Sequence, residues 1–130
     1  MPLEDFARFV RANRTFVAVA GDGRPLGFAI AGPVGGIFWL KELGVDPDAM
    51  RRGVGTALLD AVAGHAQDAG FATVGLSTFR DVPFNAPFYA RRGYRIVDPD
   101  TQPEPIRGQF AREVPESVTP GDRVLMLRNL

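Results

Sequence analysis

Two short segments of the chain concentrate the residues suited to binding or catalysis. The first is Val45–Leu59, VDPDAMRRGVGTALL, where Arg51 and Arg52 precede Gly53 and Gly55 and an apolar helical pattern follows. Glycines at 53 and 55 would let the backbone approach a bulky ligand where a Cβ would collide. The N–H groups of a first helical turn have no internal partners and carry the positive end of the dipole, so they suit a phosphate. Arg51 and Arg52 add charge at that end; the plain alternative is a glycine-softened helix start with solvated arginines. The second segment is Thr78–Tyr94, TFRDVPFNAPFYARRGY, where Asn85 and Tyr89 stand four apart and would share one helix face. Asn85 can cap that helix, and Pro87 is tolerated in its first turn. Taken singly, Asn85 reads better as only a cap and Tyr89 as only a half-buried aromatic with its hydroxyl at the surface.

Much other chemistry is excluded. The chain has no cysteine, which removes disulfides, thiolate metal sites and a cysteine nucleophile. Its single histidine, His65, rules out a His-rich metal cage, and no metal is expected. A Ser–His–acid triad would have to use His65, which falls mid-helix at the edge of an apolar stripe and reads better as a packed residue. A P-loop would need Gly-Lys-Ser/Thr, which is absent. A dinucleotide fingerprint would need a third glycine where Leu58 stands, and an acidic residue ending a strand that instead closes on Ser77, Thr78 and Phe79. Lys plus Arg and Asp plus Glu both number 15, so no global field draws the chain to nucleic acid or an anionic membrane.

Periodicity supplies the scaffold on which these residues would sit. Leu3, Phe6, Phe9 and Val10 recur at helical spacing, which predicts an amphipathic helix over Leu3–Ala12. Thr15–Ala20 and Leu26–Ala31 read as a hairpin around Gly21-Asp22-Gly23. Gly32-Pro33 and Gly35-Gly36 should break the second strand, and Ile37–Val45 is a third. Asp46-Pro47-Asp48 stops it. A helix over Gly53–Ala69 comes next, with Val54, Leu58, Leu59, Val62 and Ala66 as its stripe and Gly70 at its end. Phe71–Phe79 is the next strand, so strand, helix and strand form a βαβ unit with parallel neighbours and a right-handed crossover. A short helix over Asn85–Arg92, a strand at Tyr94–Val97, a helix around Ile106–Glu113 and a last strand at Arg123–Arg128 complete the reading. At 130 residues, 45% apolar and 23% charged, this is one α/β domain, residues 1–130, with a mixed central sheet. The start lacks a signal-peptide pattern, and the glycine-broken Pro25–Leu40 is shorter than the roughly 18 residues of a membrane span. The expected location is the cytoplasm.

R-R-G-V-G-T-A-L-L after a strand ending Val-Asp-Pro, then N-A-P-F-Y-A-R-R-G-Y, resembles the GCN5-related N-acetyltransferases (GNAT) over about Thr15–Val97. The resemblance implies acetyl-CoA as co-substrate. It places the CoA pyrophosphate on Arg51, Arg52, Gly53, Val54, Gly55 and Thr56, and the pantetheine arm along Leu43, Gly44 and Val45. It implies that Asn85 contacts CoA and that Tyr89 protonates the departing thiolate. Two departures stand out. The family usually has Gln or Arg where this chain has Met50. It also usually opens with a strand and a helix before the one placed at Leu3, so a late start is expected, with a homodimer covering the edge left open.

Without cysteine, a covalent acetyl-cysteine step cannot occur, and direct attack of a neutral amine on the thioester is the simplest route. It needs a base or water path, an oxyanion donor and an acid for the thiolate. Glu42, which by alternation faces away from Leu43 and Val45, is the base candidate; it reads equally as a strand carboxylate in water or paired with Lys41 or an arginine. Asp81 is a weaker acceptor-side candidate. A backbone amide of Leu43–Val45 could donate to the oxyanion, and Trp39 and Phe84 either wall the acceptor site or pack in the core. The acceptor is a small-molecule or peptide amine whose identity lies in variable loops. The rival readings are a non-catalytic acetyl-CoA-binding or regulatory module of the same fold and a nucleotide-binding protein.

Overall fold

β1 (Arg14–Val19) and β2 (Pro25–Val34) form an antiparallel hairpin with Thr15 opposite Ile30 and Val17 opposite Phe28. Its turn is closed by Ala20 N–H donating to Arg24 O at 2.8 Å, while the Asp22 carboxylate accepts from Arg24 N–H at 3.0 Å. These come from a computed structural model that describes residues 13–50, 52–82, 85–114 and 121–130. The helix expected at Leu3–Ala12 lies outside the described residues. Contrary to expectation, β2 runs through Gly32-Pro33 and breaks only at Gly35-Gly36. Among the described residues pairing with β1 ends at Ala31, so the missing N–H of Pro33 interrupts no ladder bond described on that side.

β3 (Ile37–Val45), α1 (Val54–Asp68) and β4 (Thr73–Phe79) form the βαβ unit, with β3 and β4 parallel. The expected α1 stripe of Val54, Leu58, Leu59, Val62 and Ala66 is buried against the sheet together with Phe38, Leu40, Val74 and Leu76. Full burial of each large apolar side chain contributes about 1.5–3 kcal/mol, which outweighs the helix propensity lost at the internal glycines. α2 (Ala86–Ala90), β5 (Arg95–Val97), α3 (Ile106–Glu113) and β6 (Arg123–Asn129) complete a six-stranded sheet of order β1-β2-β3-β4-β6-β5. On the opposite face Trp39, Ile106, Leu125 and Leu127 form a second, smaller core under α3.

Two irregularities of β3 shape this end of the sheet. Ile30 pairs with Glu42 but Ala31 with Leu40, so β3 carries one extra residue, Lys41, in a β-bulge. The bulge reverses the alternation. Phe38 and Leu40 face α1 before it, and Leu43 and Val45 pack on that same core after it. In addition, β3 and β4 pair only at Phe38–Val74 and Trp39–Gly75, although β3 continues to Val45 and β4 to Phe79. Beyond Trp39 the two strands part, and a gap opens between their C-terminal halves.

Candidate active site

At the C-terminal end of β3 a cavity of about 380 Å³ is lined by Leu43 and Val45, the start of α1 and one side of α2. That volume lies within the usual range of ligand pockets. Gly53 caps α1 in the left-handed region, φ +83°, which a side chain at that position would resist. No atom stands within 4 Å of a Cβ built there, so the residue is required by conformation rather than by close approach. At Gly55 an added Cβ would meet Phe88 Cζ at 3.3 Å, so its absence lets Phe88 of α2 close against the start of α1. The α1 ladder begins with Ala57 N–H donating to Gly53 O at 3.0 Å. The N–H groups of Val54, Gly55 and Thr56 therefore have no intrahelical acceptor, and no acidic side chain stands in that turn.

Asn85 occupies the N-cap of α2 but makes no side-chain cap hydrogen bond, contrary to the capping reading. Pro87 fills the second helical position and has no N–H, which removes one of the two N–H groups that a cap could bond, leaving only that of Phe88. The Asn85 amide is left for the cavity that it lines. Tyr89, also on the lining, is 7% exposed and packs edge-on to Phe88 and Tyr94, with ring centroids 5.3 and 5.7 Å apart. Burial is the main cause that pushes its phenol up to about 12; Tyr94 adds to the rise and Arg123 opposes it.

A family model, the acetyltransferase (GNAT) family, matches residues 1–94, well over half of the chain. The chain belongs to the GNAT family of acetyltransferases. Solved structures share this GNAT fold. The N-acetylglutamate synthase of Neisseria gonorrhoeae, complexed with coenzyme A and N-acetyl-glutamate, is 19% identical with a TM-score of 0.78 over 100% of this chain. The present chain spans only 28% of that enzyme. A GNAT acetyltransferase from Elizabethkingia anophelis with acetyl-CoA bound is 17% identical, TM-score 0.74, covering 99% of this chain and 84% of its own. The ribosomal-protein-S18-alanine N-acetyltransferase of Escherichia coli is 22% identical, TM-score 0.72, covering 99% and 77%.

Within this GNAT fold, Leu43, Val45, Gly53, Val54, Gly55, Thr56, Asn85 and Tyr89 all line one cavity, as does Met50. Other expected site residues stand elsewhere. Glu42 is exposed, and the bulge puts it on the face opposite Leu43, outside the cavity lining. Gly44 turns toward Phe28, where an added Cβ would stand 2.6 Å from Cε1. Arg52 is exposed and off the lining, as is Asp81; Arg51 and Phe84 lie outside the described residues. His65 packs its ring against Phe16 and Phe38, at 5.8 and 5.4 Å, as a core-edge histidine.

Two sets of residues had no signal in the sequence. Arg92 lines the cavity, its Nε donating to Thr56 Oγ1 at 2.8 Å. On the other sheet face, the Glu113 carboxylate accepts from Trp39 Nε1 (2.6 Å), Gln109 Nε2 (2.6 Å) and Ser77 Oγ (2.5 Å). Arg123 Nε donates to Ser77 Oγ at 2.9 Å, and its Nη2 lies 3.8 Å from Glu113 Oε1. Trp39 is thus fully buried and bonded to a carboxylate. Sequence separations of 74 and 36 residues between Glu113 and its partners Trp39 and Ser77 hide this cluster from any local pattern.

Proposed function

We propose that the chain acetylates an amine by direct attack of the neutral nitrogen on the thioester carbon of acetyl-CoA. The observation that carries this reading is the parting of β3 from β4 beside a cavity lined by the start of α1, Asn85 and Tyr89. The pyrophosphate rests on the N–H groups of Gly53, Val54, Gly55 and Thr56. The pantetheine arm takes the place of the missing ladder partner along Leu43, Gly44 and Val45. Asn85 steadies the thiol end with its amide, which makes no cap hydrogen bond.

The acceptor enters from the face that carries Glu42. Its nitrogen forms the C–N bond, and a backbone N–H of Leu43–Val45 donates to the oxygen as negative charge grows there. The C–S bond then breaks, the Tyr89 hydroxyl gives its proton to the sulfur, and the amine proton leaves through Glu42 or water. Solvent reprotonates Tyr89. The experiment is Tyr89→Phe, which keeps the ring and removes the hydroxyl. Steady-state rate with any accepted amine should fall about 10²-fold, with acetyl-CoA affinity nearly unchanged. Full turnover in Tyr89→Phe would sink the general-acid role and leave a water as proton donor.

A further inference from the structure

Arg92 is held by three contacts beside the first turn of α1. Its Nε donates to Thr56 Oγ1 at 2.8 Å, its Nη1 donates to Phe88 O at 2.9 Å, and its guanidinium carbon lies 3.8 Å over the Phe88 ring. Part of this is structural, since a basic side chain near the end of α2 caps one of its carbonyls. The position is nevertheless electrostatically awkward. Thr56 is the third residue of α1, and a cation beside the positive end of a helix is repelled rather than held. The first turn of α1 carries no acidic side chain, and the cavity lining holds Arg91 and Arg92 but no carboxylate; the first acid along α1, the exposed Asp60, stands one turn further on, four residues beyond Thr56. An anion inside the cavity would relieve that repulsion.

We infer that Arg92 is a cofactor-specificity residue that grips the pyrophosphate of CoA from the α2 side. This rests on the acetyl-CoA reading given above. The guanidinium is tied to Thr56, one residue from the Gly55 N–H, so it stands beside the amides to which the diphosphate is assigned. Its three contacts are satisfied before the ligand arrives, so little side-chain entropy is lost on binding. The neighbouring Arg91 is exposed and more open to water, which screens its charge.

The test is calorimetric affinity for CoA, for dephospho-CoA, which keeps the diphosphate but lacks the 3′-phosphate, and for pantetheine, which has neither. Wild type, Arg92→Ala and Arg92→Gln are compared, with the melting temperature of each free protein. Arg92→Gln keeps an amide that can pack on Phe88 and serves if Arg92→Ala does not fold. Either variant should weaken CoA and dephospho-CoA alike, by about 10–100-fold, and leave pantetheine unchanged. Loss confined to CoA would make Arg92 a reader of the 3′-phosphate and overturn the assignment. Equal losses for all three ligands, or none, would make it a structural clamp between α1 and α2. If wild type itself binds no CoA, the cofactor reading fails first and the inference with it.

Discussion

A phenol serves as an acid only if it still holds its proton when the leaving group needs it. Burial of Tyr89 ensures this, since its phenol is pushed up to about 12 and stays neutral throughout the working range. The same burial makes it a weaker proton donor than a free tyrosine, so its contribution belongs near the low end of the general-acid range of about 10²–10⁴-fold. Tyr94 is pushed up to about 12 as well, first by burial, with Arg128 opposing. Both groups are neutral acids whose folded values exceed the ordinary 10.0 of an unfolded phenol. Their contribution to stability is therefore complete below about pH 10 and is lost as pH rises from about 10 through about 12. Urea midpoints should be flat in this respect up to about pH 10 and fall beyond it, less steeply in Tyr89→Phe. An inflection of the same size in wild type and mutant would contradict the assignment. That Asn85 and Tyr89 share one face was legible from their spacing, and both line the cavity, but the roles given to them came from the family resemblance and not from the spacing. Arg92 was not, because the repulsion it suffers exists only once α1 and α2 are brought together.

Among the elements, backbone conformation and long-range ties do different work. Gly53→Ala should destabilise the protein by about 1–2 kcal/mol, since an L side chain resists the left-handed backbone even though space is open around it. Equal urea midpoints for the two proteins would show that α1 can start another way. Glu113 fastens α3 to the sheet through Trp39 and Ser77. Glu113→Ala strands the indole N–H of a fully buried tryptophan, at a cost of about 1–3 kcal/mol. The chain has one tryptophan, so its fluorescence reports this directly, and an unchanged spectrum and midpoint would refute the tie. The α1 stripe, the βαβ unit and the helix at Ile106–Glu113 were all readable, because each is set by its own periodicity. The bulge at Lys41 was not. It is a property of the pairing between β2 and β3, and no residue type in IFWLKELGV announces it. Gly32-Pro33 misled for a related reason, since a proline breaks a strand only where its N–H would have had a partner.

For the molecule as a whole, the central feature is the gap between β3 and β4, with the cavity at the start of α1 on one side and the exposed Glu42 on the other. Periodicity gives the strands that flank the gap, but their divergence depends on how α1, α2 and α3 pack on the two faces of the sheet. Ligand that binds only the folded state stabilises it by RT ln(1 + [L]/Kd), about 2.7 kcal/mol at a hundredfold excess over Kd. The decisive measurement is thus thermal unfolding of the wild-type protein titrated with acetyl-CoA, beside ATP and NAD. Acetyl-CoA should raise the melting temperature by several degrees with saturation, while ATP and NAD do not match it. Gly55→Val, whose side chain would press on Phe88 within the cavity, should lose the effect. No shift in wild type at saturating acetyl-CoA, or an undiminished shift in Gly55→Val, would contradict the site at the start of α1.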